Sequence, residues 1–268
     1  MKKLFLTILC IQLAALCLAQ YDTSLKLLKI IQGDITDFTA DNLGNLYVLT
    51  RDNQLKKLGP DGDSLSAYND VRRFGKVYSI DATNPLKLLL FYRDFGTIVV
   101  LDRFLNVRTT LNLRQKNIFQ VKAVGQSYDN NIWLYDEQEA RLKKLNEEGV
   151  ALEQFSDLRQ IMDTAPSPVE ITDNNRLLYL YDPGNGLYVF DYFGTLKNKI
   201  ALLGWQDVQV VGDQVFGRKN NVLQQYRPGT LAWKEFPLGS LFAQMNKMVI
   251  TSTRLYCLKD GAIHLYSF

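Results

Sequence analysis

Residues 37–49 read DFTADNLGNLYVL, and residues 124–134 read VGQSYDNNIWL. Each stretch joins a short strand-forming segment to an apolar run through a turn rich in Asp, Asn and Gly. These turn residues tolerate left-handed backbone angles and hydrogen-bond their own backbone, so the pattern predicts a tight β-hairpin. The same arrangement recurs along the chain, and the recurrence decides the fold.

The apolar run of the hairpin returns six times, beginning at residues 46, 88, 132, 178, 214 and 255, in steps of 42, 44, 46, 36 and 41. A second strand-like segment follows each run after a polar turn, at residues 55–58, 98–101, 142–145, 187–190, 223–226 and 263–266. A further strand candidate precedes each run, and a weaker, more polar one ends each of the first five repeats. Four antiparallel strands in a repeat of about 42 residues predict the blade of a β-propeller.

The order of strands predicts how the ring closes. The sixth repeat ends after its third strand, whereas residues 24–31, SLKLLKII, form a strand-like segment that belongs to no repeat. We expect this N-terminal strand to pair beside residues 263–266 and complete the last blade, because an unpaired strand edge is otherwise exposed. The prediction is an all-β, six-bladed propeller that fills residues 20–268 as a single domain.

The two quoted stretches resemble the D-x-x-G-N-hydrophobic-Tyr/Trp-Val unit of six-bladed propellers of the NHL and TolB-like type. The resemblance extends over residues 20–268 as architecture. It implies the fold and little about function, since members of this group include enzymes, ligand binders and scaffolds.

Residues 1–19 have the layout of a secretory signal peptide. A basic start, MKK, precedes an apolar run from Leu4 to Leu16 that is shorter than the roughly 20 residues needed to span a bilayer, and Cys17-Leu18-Ala19 offers a cleavage site before Gln20. We expect an exported protein, periplasmic or extracellular. The alternatives are a membrane anchor and a lipoprotein acylated at Cys17, which is disfavoured because Leu16 precedes the cysteine. Cleavage leaves Cys257 as the one cysteine, expected to be a buried, inert thiol.

Composition argues against several functional classes. Lys and Arg number 31 against 28 Asp and Glu, a formal net charge of +3, which is small for a nucleic-acid-binding protein. The single histidine, His264, stands in an apolar strand and cannot form a histidine-rich metal site. We expect no cofactor, no nucleic acid, no stable membrane insertion and a monomer.

Acids recur where the second and third strands of a repeat are joined, at Asp52, Asp94, Asp136, Asp182 and Asp260. They predict either a ring of carboxylates for a cation or, as we favour, turns in which Asp bonds its own backbone. The divalent ion of sugar-lactonase-like propellers needs a set of Glu, Asn and Asp, of which only Glu170, Asp37, Asp81 and Asp173 are found. The repeated Lys56-Lys57 and Lys143-Lys144 pairs are expected on solvated strand faces.

Arg and aromatic residues gather in the loops predicted for one end of the ring. We predict a partner-binding surface formed by Arg72, Arg73, Arg93, Phe95 and Trp205, because Arg, Trp and other aromatics anchor protein interfaces. The sequence therefore predicts a non-catalytic binding or scaffold module for a protein or peptide partner in the cell envelope. The alternative is a divalent-metal-dependent hydrolase or lactonase with its site at the central channel.

Overall fold

The computed structural model describes residues 25–162 and 164–268, and they form six four-stranded antiparallel sheets arranged as the blades of a propeller. In each blade we letter the strands A to D from the central channel outward. The chain order of the first five blades is A-B-C-D, so each D strand leads into the A strand of the next blade. The prediction of a six-bladed propeller with four strands in each blade is confirmed.

The strands have the following bounds. Blade 1 holds β2 (Ile35–Ala40), β3 (Leu46–Thr50), β4 (Leu55–Leu58) and β5 (Ser64–Tyr68). Blade 2 holds β6 (Ser79–Asn84), β7 (Lys87–Tyr92), β8 (Thr97–Asp102) and β9 (Val107–Asn112). Blade 3 holds β10 (Val121–Gln126), β11 (Ile132–Asp136), β12 (Arg141–Leu145) and β13 (Ala151–Gln154). Blade 4 holds β14 (Glu170–Asn174), β15 (Leu177–Asp182), β16 (Gly186–Asp191) and β17 (Leu196–Ile200). Blade 5 holds β18 (Gln206–Val211), β19 (Gln214–Lys219), β20 (Val222–Arg227) and β21 (Ala232–Pro237). Blade 6 holds β22 (Lys247–Ile250), β23 (Arg254–Lys259), β24 (Ala262–Ser267) and, as its D strand, β1 (Lys26–Ile31).

The sixth blade is closed by the N-terminal strand, as predicted. β1 pairs antiparallel with β24, with Lys26 opposite Ser267 and Ile31 opposite Ile263, and a bulge interrupts the register near Leu28. Most of β1 is exposed, but Ile31 is buried against blade 1 in the apolar cluster that joins the first and last blades. The two ends of the described chain therefore share one sheet.

The hydrophobic core lies between the blades. Every residue of β7 and β11 is buried, because both faces of a B strand are covered by neighbouring sheets. This explains why the B segments are continuously apolar in sequence instead of alternating. The D strands show the opposite pattern, since their outer edge faces solvent, and β13 is exposed along its whole length.

In the described residues, helical structure is confined to single turns, all of them between blades except the 3-10 turn Arg93–Phe95, which joins β7 and β8 of blade 2. The longest, α1 (Val71–Phe74), connects blades 1 and 2, and a 3-10 turn at Leu158–Gln160 follows Asp157, whose side chain caps it. Among the described residues, no helix is long and apolar enough to cross a membrane. Residues 1–19, the predicted signal peptide, lie outside the described residues.

The structure corrects the prediction that the repeated lysine pairs are solvated. Lys57, Lys143 and Lys144 are buried. Lys144 Nζ lies 2.6 Å from Asp129 and 3.1 Å from Glu153. Its ammonium also faces the ring of Trp133 at 5.2 Å. Tyr192 of blade 4 lies over the face of β12 that carries Lys144. The sequence of one repeat does not show which residues of the next blade pack against it. The charge is tolerated because it is paired.

Candidate functional site at the upper face

The two ends of the ring differ in the connections that they carry. D–A loops and B–C turns lie at one end, which we call the upper face, and A–B and C–D turns lie at the other, the lower face. The A strands run from the upper to the lower face along the central channel. Side chains at the beginning of each A strand therefore surround the channel where it opens on the upper face, a region that we call the throat.

The throat is a cavity of about 420 Å³ whose wall carries four carboxylates and one ammonium. Its charged lining residues come from five of the six blades, at Asp37, Asp81, Glu170, Asp207 and Lys247. Tyr78 and Trp205 add aromatic surface at its margin. Only Glu170, Asp37 and Asp81 were singled out from sequence; Asp207 and Lys247 share the signal of standing at the beginning of a repeat's A strand.

Three of the four throat acids have partners. Lys247 Nζ donates to Asp37 at 2.6 Å, and Arg218 Nε donates to Asp207 at 3.0 Å. Asp81 accepts from the backbone N–H of Gln126 at 2.6 Å and from its side-chain amide. Burial raises the pKa of the Asp207 carboxyl, while Arg218 opposes that rise.

Glu170 has no hydrogen-bond or ion-pair partner within the described part of the chain. Its side chain is open to the channel, but the protein around the channel limits its solvation. This desolvation raises the pKa of the Glu170 carboxyl to about 7, with Asp81 adding to the rise and Lys247 opposing it. The throat therefore contains a carboxyl group that changes its charge near neutral pH. Such a group can accept a donor or a cation from a bound molecule.

A cluster of arginine and aromatic side chains forms part of the rim above the throat. The Arg93 guanidinium lies 3.8 Å from the ring centre of Tyr78, and Arg73 lies 4.7 Å from that of Phe74. Phe95 is 51% exposed, and its ring rests against Gly75, which ends α1. Arg72 is exposed on the same short helix. We call Arg72, Arg73, Arg93 and Phe95 the rim cluster, and the structure brings these four predicted site residues together.

Trp205, the fifth predicted site residue, does not share this exposed surface. It is 4% exposed and packs over Gly217, where the Cβ of any larger residue would lie 2.3 Å from its ring. Its carbonyl accepts a hydrogen bond from the Tyr181 hydroxyl at 2.8 Å. Glycine at position 217 leaves room for the indole in the core between blades 4 and 5, so Trp205 is a core residue whose edge reaches the throat.

Two of the B–C turn acids, Asp136 and Asp182, accept hydrogen bonds from the backbone of their own turns. Asp136 accepts from the backbone N–H groups of Gln138 and Glu139, and Asp182 accepts from those of Gly184 and Asn185. These bonds support the interpretation that the repeated Asp builds the turn.

The remaining candidate groups lie away from the throat. His264 is on the C strand of blade 6, paired with Ile30 and Cys257. Cys257 is free and buried, and burial raises the pKa of its thiol to about 12. Asp173 accepts hydrogen bonds from the side chains of Ser127 and Trp133 near the lower face. Among the described residues, no three His, Cys, Asp or Glu side chains are placed to hold a metal ion.

Comparisons with solved structures match the architecture. A streptogramin B lyase structure aligns over 91% of this chain and 86% of its own, with 13% identity and a TM-score of 0.61. Virginiamycin B lyase from Staphylococcus aureus aligns over 87% and 80%, with 15% identity and a TM-score of 0.59. The WD40 domain of Neurospora crassa Pan2 aligns over 91% and 95%, with 8% identity and a TM-score of 0.64.

At these identities the likeness shows the propeller fold alone, and the fold houses enzymes as well as interaction domains. No family model matches this sequence, and no curated protein sequence matches it.

Proposed function

We propose that this protein is an exported propeller that binds a protein or peptide partner on its upper face, as a non-catalytic binding or scaffold module. The observation that carries the proposal is the rim cluster. Its three arginines are exposed, and within the described residues none of them forms an ion pair. Exposed, unpaired guanidinium groups beside aromatic rings are typical of surfaces that bind other proteins.

The chemistry of the rim cluster favours a partner with acidic and apolar side chains. The Arg93 guanidinium lies over the Tyr78 ring and has no ion-pair partner among the described residues, so its N–H groups can form a two-point contact with a carboxylate of the partner. Phe95, held against Gly75, offers apolar area at little entropic cost. The throat beside the rim cluster is rich in carboxylates, which would repel an acidic group. We therefore expect the acidic part of the partner to contact the rim cluster and a neutral or basic part to lie over the channel.

The test is a double variant, Arg72→Ala with Arg93→Ala. Immobilised wild-type protein captures partners from an envelope extract, the captured proteins are identified by mass spectrometry, and each affinity is then measured by titration. We expect the double variant to keep its melting temperature, because exposed substitutions cost within about 0.5 kcal/mol. Its affinity should fall more than tenfold, which corresponds to about 1.4 kcal/mol.

A matched control is available on the lower face. Arg103 also lies over an aromatic ring, that of Phe104 at 4.6 Å, and is exposed. Arg103→Ala should leave the affinity unchanged. If the double variant retains every partner at wild-type affinity, the binding surface lies elsewhere; if it unfolds, the arginines are structural.

Export rests on residues 1–19. We expect the exported protein to begin at Gln20, and mass spectrometry of the protein recovered from the envelope or medium measures this directly. An acylated Cys17 would make it a lipoprotein, and retention of residues 1–19 would make it an anchored protein.

The alternative function, a divalent-metal-dependent hydrolase at the channel, is separated from the binding module by a thermal measurement. A melting temperature that rises in millimolar Mg²⁺ or Ca²⁺ and loses that rise in Glu170→Gln would favour the enzyme.

A further inference from the structure

A second cavity, of about 770 Å³, lies between blades 5 and 6, outside the central channel. Its wall is mainly apolar, with Phe216, Leu223, Phe236 and Ile250 among the residues that form it. Leu25 and Phe268, which flank the paired strands β1 and β24, border it as well. The volume falls within the roughly 300–1,000 Å³ range of pockets that bind small molecules.

The closure of the ring explains why a cavity is found at this interface. In blades 2 and 4 the C–D turn lies against the blade before it: the carbonyl of Arg103 accepts from Lys57 at 2.8 Å, and the ring of Tyr192 stacks on that of Tyr128 at 5.2 Å. Blade 6 takes its C and D strands from opposite ends of the sequence, so no C–D turn joins them. Within residues 25–162 and 164–268, no C–D turn places side chains over the preceding blade here.

Blade 5 shows the consequence. All residues of the B strands β7 and β11 are buried, whereas in β19 only Val215 and Gly217 are. Phe216 lies in the middle of this strand and lines the cavity while only partly buried. A molecule that covered this apolar surface would gain about 25 cal/mol for each Å² removed from water.

The polar groups of the wall limit the chemistry of that molecule. The Gln225 amide donates to the Gln214 side-chain oxygen, and both residues line the cavity. Asp213 is the one charged residue among the described lining residues, and it is paired with Arg227 at 3.2 Å. Amides hydrogen-bond neutral groups, and an apolar wall whose one charged side chain is already paired disfavours an ionised ligand.

We propose that the cavity between blades 5 and 6 binds an uncharged, mainly apolar small molecule that carries a group able to hydrogen-bond an amide. This site is independent of the rim cluster and of the proposed partner. It gives the protein a second binding function that the closure of the ring creates.

The test uses N-phenyl-1-naphthylamine, an uncharged aromatic amine that fluoresces in apolar surroundings, titrated into the chain that begins at Gln20. Ser252→Trp places an indole at a lining position on an exposed turn, and Thr253→Trp places the same indole on the next residue, which does not line the cavity. We expect saturable binding of one probe per chain. Ser252→Trp should weaken it at least tenfold, whereas Thr253→Trp and the Arg72/Arg93 double variant should not.

Three results would overturn the proposal. They are the absence of saturable binding, equal affinity in the two tryptophan variants, and binding that arises only when the chain is shortened to begin at Leu25. The last result would mean that the protein's own residues 20–24 exclude the ligand.

Discussion

Two neighbouring isoleucines in β1 offer a direct measurement of how the ring closes. Ile31 is 8% exposed and packs with Ile35, Val249 and Ile263 in the cluster between blades 6 and 1. Ile30 is 39% exposed on the opposite face of the same strand. Replacing each by alanine removes the same atoms from adjacent positions, so the difference between the variants reports burial alone.

The expected magnitudes follow from burial. Removing a buried isoleucine side chain costs about 2–5 kcal/mol, and the edge position of β1 places Ile31→Ala at about 2–4 kcal/mol. Ile30→Ala should cost about 1 kcal/mol or less. For a chain of this size each kcal/mol lowers the melting temperature by about 2–4 °C, so Ile31→Ala should melt about 5–15 °C lower than the wild type.

Calorimetry or circular dichroism of the chain from Gln20, with urea unfolding as a second measure, tests this. If Ile31→Ala and Ile30→Ala have the same melting temperature, β1 does not close the ring. A chain that lacks residues 20–31 extends the test: it should lose cooperative unfolding or aggregate, because the edge of β24 is then exposed. A truncated chain that melts like the wild type would contradict the closure.

Two further predictions concern charged side chains inside the ring. Lys144→Met should destabilise the fold by about 2–4 kcal/mol in urea unfolding, because it leaves two carboxylates without their shared cation. Lys197→Met, at an exposed pair with Asp191, should change stability by less than about 0.5 kcal/mol. Equal effects of the two substitutions would contradict the argument. The pKa of Glu170 is about 7 in the folded protein and ordinary when unfolded, so the folded state binds its proton more tightly. The stability that this carboxyl contributes is present below about pH 4.5 and is lost as the pH rises to about 7. Melting temperatures measured from pH 4.5 to 8 should therefore fall less in Glu170→Gln than in the wild type. An unchanged pH profile in Glu170→Gln would contradict this prediction.

The strands and their number follow from short-range chemistry. Each hairpin depends on residues within one repeat: Asp41, for example, accepts hydrogen bonds from the backbone N–H groups of Leu43 and Asn45, and this bonding is encoded in the five residues of the turn itself. A continuously apolar B segment likewise indicates a strand covered on both faces. Repetition of these local signals was therefore enough to predict six blades, and the unmatched N-terminal strand was enough to predict the closure.

The candidate site depended instead on which residues of different blades meet. The sequence placed Arg72 and Phe95 in loops of one face, but the contact of Phe95 with Gly75, which ends the helix carrying Arg72, joins segments about twenty residues apart. Trp205 and Lys144 were expected on the surface and are buried, because the side that covers them belongs to another part of the chain. The throat carboxyls and the cavity between blades 5 and 6 arise in the same way. Local hydrogen bonding is encoded in adjacent residues, whereas burial and pKa depend on neighbours that only the closed ring brings together.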